Sequence, residues 1–533
     1  MLSKNALKEA LGEIPLTAEA YWSLRQGGGP VDPHFSLDRL EARLPEWQRQ
    51  VQAARRGNPG SRIMVFATLR YWIEHAALLG LALAGAGHQV TLAFLPYGSW
   101  KEPANRFDLR RQNAYAGRVL RLAEPAIQVA SLLDRRVNRR QLPADLQAEI
   151  EDLAKRDTQY TLQVEEIDRA GDLYRLRLER DSQAALAALS WIETARPEVV
   201  IVPNGSILEF GAVYAAARRL GVRVVTYEFG EQDGRVWLAQ DGPVMFQETG
   251  GLWSARKDVP LTPAQRERVE KMFESRQGAR RWENFARRWQ GTPSEGARQV
   301  RESLGLDSRP VVLMATNVIG DSLTLGRQAF SETMTEWIQR TGDYFSRRDD
   351  CQFVVRIHPG EALMKGPSVL EVLDRILSGV PENIRLVPAT APVNTYDLIA
   401  NADLGLVYTT TAGLEMVMSG VPVIVSGRTH YRNKGFTFDP ESWEEYFALL
   451  DSFLADPAQA RPSPGQVELA WRYAYSFFFE YPRPFPWHLL YYWDKLDEWP
   501  LERVLSPEGQ EAFGATFRHL AGEPLAWEEI LEL

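Results

Sequence analysis

Short apolar runs alternate with longer stretches whose apolar positions repeat every three to four residues. In the first half, residues 63–67, 89–95, 199–202 and 222–227 read as buried strands. Residues 72–86 read as the helix after the first of them, ended by Gly87. Ala212, Ala215, Ala216 and Ala217 let the helix after the third strand pack close to a sheet. In the second half, runs at 311–315, 353–357, 384–387, 404–408 and 421–425 repeat the theme, most of them separated by helical segments. Alternation of this kind predicts an α/β fold with two parallel sheets. Residues 116–191 are mainly helical and charged, with an alternating run at 173–178 that reads as a strand. A charged helical stretch over 262–304 reads as a bridge. A helical extension precedes everything, interrupted near Gly27 to Pro30 and closed by Asn58, Pro59 and Gly60. The expected division is a helical extension at 1–57 and a Rossmann-like domain with a helical insert at 58–305. A second Rossmann-like domain follows at 306–460, then a helical crossover segment at 461–533.

The most informative stretch is 402–425: a buried strand, a hydroxyl-rich turn, a helix, a glycine turn and a second apolar strand. In such a βαβ unit the ligand crevice lies where strands end and helices begin. Thr409, Thr410 and Thr411 with Gly413 make a phosphate-binding turn, and Glu415 is placed to hold ribose hydroxyls. Together they suggest a nucleotide-sugar site. Arg356 and His358 end an earlier strand, stopped by Pro359, where the imidazole can donate to a phosphate or sugar oxygen or satisfy its own turn. Asn317 and Asp321 follow the first strand of this half; the loop with Gly320 suits close backbone approach to a ligand, or a plain helix cap. Arg428, Arg432 and Lys434 put positive charge at the same sheet edge, for a phosphate or an acidic sugar, or else they form a solvated loop.

The first half offers carboxylates. Glu228, Glu231 and Asp233 follow a strand, so at least one is expected in the crevice as a base for an acceptor hydroxyl. Glu74 and His75 on the first helix, and Asn204 with Glu209 past another strand, are acceptor-side candidates.

A net charge of −9 argues against a general nucleic-acid binder. Cys351 is the sole cysteine, so no intrachain disulfide forms, which fits a reducing compartment. The first sixteen residues carry Lys4, Lys8, Glu9 and Glu13 and match neither a leader nor a membrane span. A cytoplasmic protein is expected, with peripheral contact at the inner face of a membrane as a further expectation. The aromatic region from Trp471 to Trp499 reads as a segment packed across both domains, or as a membrane or lipid-acceptor surface. No Walker A, HExxH, zinc-type cysteine cluster or Gly-x-Ser-x-Gly elbow occurs, and the first strand-helix turn lacks the dinucleotide glycines. No metal site and no cofactor is expected.

Two motifs carry a resemblance. Arg356-Ile357-His358-Pro359 resembles the His-Pro motif of bacterial sialyltransferases and capsule-type Kdo transferases. Tyr408 to Glu415 resembles their paired-hydroxyl motif, with threonines where serines are usual, and is similar to the capsule polysaccharide synthesis family. Residues 427–436 resemble the segment that follows in those enzymes. The resemblance implies a GT-B glycosyltransferase, with two Rossmann-like domains facing a cleft. No DxD-like metal motif stands at a strand end of the second half, so transfer independent of metal is expected. His358 and Thr409 to Thr411 would then contact the donor phosphate. The implied partners are a nucleotide-sugar donor, first a CMP-activated acidic sugar, and a cell-surface glycan or glycolipid acceptor, with no nucleic acid. A CDP-alcohol phosphotransferase, a nucleotide-sugar epimerase and an inactive glycan-binding protein stay open beside it.

Overall fold

The computed structural model describes residues 4–25, 29–55, 60–134, 141–285, 291–377 and 379–527. Gly27 and Gly28 of the expected break, and Asn58 with Pro59, lie outside them. Two parallel sheets organise the chain. The first contains β1 (Arg62–Thr68), β2 (Gln89–Leu95), β3 (Gln128–Ser131), β4 (Val199–Pro203), β5 (Arg223–Glu228) and β6 (Arg235–Gln240), in spatial order β3-β2-β1-β4-β5-β6. The first five are parallel; β6 runs antiparallel to β5. The second sheet contains β7 (Val311–Ala315), β8 (Gln352–Arg356), β9 (Ile384–Val387), β10 (Leu404–Val407) and β11 (Val423–Val425), all parallel, in order β9-β8-β7-β10-β11. Both halves therefore share the doubly wound order, which reverses beside the first strand. Two such domains with their strand ends across a cleft make the GT-B arrangement.

The strands are apolar because helices cover both faces of each sheet. Every residue of β4, β7, β8, β10 and β11 is buried. The helix Arg70–Gly85 is buried over Trp72–Gly85, since the sheet covers one side and the C-terminal segment the other. That segment leaves the second domain after the helix Pro464–Tyr475, passes one π turn at Ser476–Glu480, and forms β12 (Arg483–Pro484). β12 pairs antiparallel with β6, so the chain crosses between domains twice. The helices Leu501–Leu505 and Pro507–Leu520 then pack on the first domain. The aromatic residues from Trp471 onward are largely buried in both domain cores, which accounts for their density. No described helix is long and apolar enough to cross a membrane.

Two expected elements differ. The helical stretch at 262–304 is two helices, Pro263–Gln277 and Ala297–Ser303, with no further helix among the described residues between them. Residues 173–178 are not a strand but the start of the helix Asp172–Ala195. Their alternation counted Arg177 as a surface residue. It is fully buried, paired with Asp157 and, one helical turn on, with Asp181, and with Glu209 at 3.4 Å. With Arg177 counted inside, the buried positions Tyr174, Arg177, Asp181 and Ala184 follow a helical period.

Candidate active site in the interdomain cleft

The C-terminal ends of β4 and β5 look across the cleft toward those of β7, β10 and β11. Between them lie two cavities of about 650 and 400 Å³, with Tyr160 lining both.

Threonines and arginines form the second-domain wall of the larger cavity. Thr409 follows β10, and its backbone N–H donates to the Asn317 side-chain oxygen at 3.1 Å, which fixes the end of the strand. The Thr409 hydroxyl is buried with no hydrogen-bond partner, in a residue only 7% exposed that lines the cavity. Leaving a buried hydroxyl unpaired costs about 1–3 kcal/mol, so its position favours a ligand atom. Thr411 lines the same wall. The Thr410 carbonyl accepts the Tyr431 hydroxyl at 2.5 Å. Gly413 permits this, since a Cβ there would lie 2.4 Å from the Tyr431 hydroxyl oxygen.

Arg327 and Arg428 add the charge. Arg327 is 7% exposed and donates to the Phe246 carbonyl at 3.0 Å and to the Met245 carbonyl, both in the first domain. Burial lowers its pKa to about 10. Among the described residues no carboxylate lies within ion-pair distance of Arg327 or of the exposed Arg428 side chain. A buried guanidinium bonded only to carbonyls keeps an unneutralised charge, and an anion in the cavity would neutralise it. His430 lines the cavity too, stacked on Phe477 with ring centroids 3.7 Å apart. Burial, then Arg327 and Lys434, hold it well below the usual histidine range, so the ring is neutral.

The first-domain wall carries the carboxylates. Glu228 ends β5 and lines the smaller cavity, where it accepts from the Asn204 side chain at 3.1 Å and from the Phe229 N–H at 2.9 Å. Burial raises its pKa above the usual carboxylate range. Asn204 has φ +56°, a conformation asparagine tolerates, and its side-chain oxygen takes the Ser206 N–H and hydroxyl. Asp321 lines the same cavity from the opposite domain. Glu231 lines the larger cavity. Asp233 is paired with Lys495 at 2.9 Å and lines neither.

Further candidates lie outside the two cavities. Arg356 points to the loop after β9 and donates to the Pro388 and Val393 carbonyls at 2.7 and 3.2 Å. His358 is exposed at the end of β8; its Nδ1 accepts the Gly360 N–H at 3.0 Å, which leaves the proton of the neutral ring on Nε2. Both Glu415 carboxylate oxygens are engaged, one by Arg276 and one by the Tyr396 hydroxyl at 3.0 Å. Lys434 is half-buried, which lowers its pKa. Glu74 accepts the Tyr492 hydroxyl at 3.1 Å, and His75 contacts the Trp487 carbonyl at 3.1 Å, so both tie the C-terminal segment to the first domain. The close approach expected at Gly320 is to protein: a Cβ there would lie 2.4 Å from the Gln163 and Val164 backbone.

The sequence reading did not single out Arg327, Tyr160, Gln232 or His488. Their partners are distant in the chain, and no local motif marks them. Among the described residues no group of three or more His, Cys, Asp or Glu is placed to hold a metal ion.

No family model and no curated protein matches the chain. Solved structures similar to it include a β-Kdo 2,4-transferase, KpsC of Thermosulfurimonas dismutans, at 15% identity over 54% of this chain and 82% of that one, TM-score 0.34. A UDP-GlcNAc 2-epimerase from Neisseria meningitidis, bound to UDP-GlcNAc, matches at 12% identity over 79% and 100%, TM-score 0.25. MurG of Acinetobacter baumannii matches at 12% identity over 78% and 95%, TM-score 0.25.

Proposed function

We propose that the chain is a glycosyltransferase that moves a sugar from a nucleotide donor to a hydroxyl of a cell-surface glycan or glycolipid. One observation carries this reading. Two arginines with no carboxylate partner among the described residues and a threonine hydroxyl without a hydrogen-bond partner meet on one wall of a cleft whose other wall carries a half-buried glutamate. In this reading Thr409, Thr411, Arg327 and Arg428 bind the leaving phosphate, with His358 able to join them from β8. Fixed donors aimed at developing negative charge supply the largest share of stabilisation in such reactions. The donor we assign first is a CMP-activated acidic sugar, whose phosphate and carboxylate give each guanidinium an anion. No metal is invoked, because the arginines neutralise the phosphate.

Glu228 is the assigned base. It takes the acceptor proton as the acceptor oxygen bonds to the anomeric carbon and the phosphate leaves with the bonding pair. Its raised pKa keeps it protonated at low pH, so the rate rises with pH as it ionises. Asn204 orients it, and Glu231 stands in the larger cavity toward the sugar.

Thermal shift against CMP, CDP, UDP, GDP and ADP tests the donor site, since a ligand that binds only the native state raises the melting temperature. Stabilisation by CMP is expected, and no response to any of the five overturns the reading. With the responding donor, Glu228→Gln lowers kcat about 10²- to 10⁴-fold and removes the rise with pH. Retained turnover assigns the base elsewhere.

A further inference from the structure

The larger cavity sorts charge across its width. Its second-domain side holds Arg327 and Arg428. Its opposite side, lined by Phe229, Gly230, Trp237, Phe285, Phe478 and Tyr491, holds no lysine or arginine among the described residues. There the polar groups are Glu231, Gln232 and His488. Gln232 is 8% exposed, and its amide orientation is set because Nε2 donates to the Phe478 carbonyl at 2.9 Å. That leaves Oε1 buried with no hydrogen-bond partner, a position that only an O–H or N–H donor satisfies. Trp237 lies over bare backbone: a Cβ on Gly230 would come within 2.6 Å of the indole. His488 donates from Nε2 to the Gly230 carbonyl at 3.2 Å and accepts the Leu490 N–H on Nδ1, and burial lowers its pKa. The mouth is marked by Leu490 and Tyr491, 74% and 45% exposed.

We infer that this wall is a subsite for a neutral sugar ring, with Gln232 Oε1 accepting from a ring hydroxyl and the aromatic side chains packing against the C–H face. A phosphate would find no cation here among the described residues, and a purely apolar ligand would leave the Gln232 oxygen unpaired. A pyranose supplies both needs, because its C–H face suits the negative face of an aromatic ring and its hydroxyls donate. The inference rests on the reading of this cavity as the transfer site and adds to it the residues that recognise a sugar of the acceptor.

The test uses the full chain and methyl glycosides of glucose, galactose, mannose and N-acetylglucosamine, followed by saturation-transfer NMR and by tryptophan fluorescence. At least one glycoside is expected to bind with its ring protons saturated. Gln232→Leu is expected to weaken that glycoside about tenfold or more, as a site left with a lost hydrogen bond does. The affinity for CMP should stay within about twofold, because the nucleotide contacts lie on the opposite wall. Tyr491→Ala, at an exposed position that does not endanger folding, should weaken the glycoside as well. Absence of binding by all four glycosides, or binding unchanged in both variants, overturns the inference. Binding of CMP without any glycoside removes the sugar subsite and leaves the donor site standing; binding of a glycoside without any nucleotide does the reverse.

Discussion

Thr409 combines two opposed effects at one atom. Its hydroxyl is buried without a partner, so it weakens the folded protein while serving any ligand that supplies an acceptor. Thr409→Val removes the hydroxyl at nearly constant shape. The expected result is a folded state unchanged or stabilised by up to about 1 kcal/mol, and nucleotide affinity reduced about tenfold. Chemical denaturation and calorimetric titration read the two signs separately. A residue serving only the fold would move both downward. This residue was legible in the sequence, because a run of hydroxyls between an apolar strand and a glycine-led helix has few other uses. Arg327 was not. Its carbonyl partners Met245 and Phe246 lie 82 and 81 residues away, and nothing local separates it from the neighbouring surface arginines.

At the scale of elements, the helix Ala412–Met418 shows what a motif conceals. Glu415 was expected to hold ribose hydroxyls, yet its oxygens bind Arg276 and Tyr396. Arg276 is fully buried on the helix Pro263–Gln277, and Tyr396 sits in the helix Thr395–Ile399, so one carboxylate joins three helices. Glu415→Gln removes the carboxylate charge that faces the buried Arg276 guanidinium and is expected to lower stability by about 3 kcal/mol or more. Urea denaturation measures it, and calorimetry with the responding nucleotide should show affinity changed far less; an equal loss of affinity would return Glu415 to the ribose. The strands β1, β2, β4, β5 and β7 to β11 were readable within a residue or two, because their apolar runs are broken only by single polar residues, such as Thr91 in β2 or Arg385 in β9. β3 and β6 were not. β3 is only half-buried, and β6 mixes core positions with Trp237, which faces the cavity.

Across the whole molecule, the helix Arg70–Gly85 fastens the returning C-terminal segment through His75. Burial lowers the His75 pKa to about 4. The unfolded chain takes up a proton near pH 6.5 while the folded chain does not, so stability is full above that pH and is lost as the pH falls from 6.5 toward 4. His75 alone accounts for a loss of about 2 kcal/mol between pH 7 and pH 5. His75→Gln keeps a donor toward the Trp487 carbonyl and no longer titrates. Its denaturation curves at the two pH values should differ by that much less than those of the parent chain. Equal pH dependence would mean that His75 is protonated in the fold.

The double crossing between domains has a mechanical meaning. A single linker would let the halves swing in any direction. Two covalent crossings act like the pins of a door, leaving rotation about the line through them as the cheap motion. Phe477 and Phe478 belong to the second crossing and also form part of the cavity wall. A ligand resting on them therefore touches the returning chain itself, at one of the two places where the halves are covalently joined.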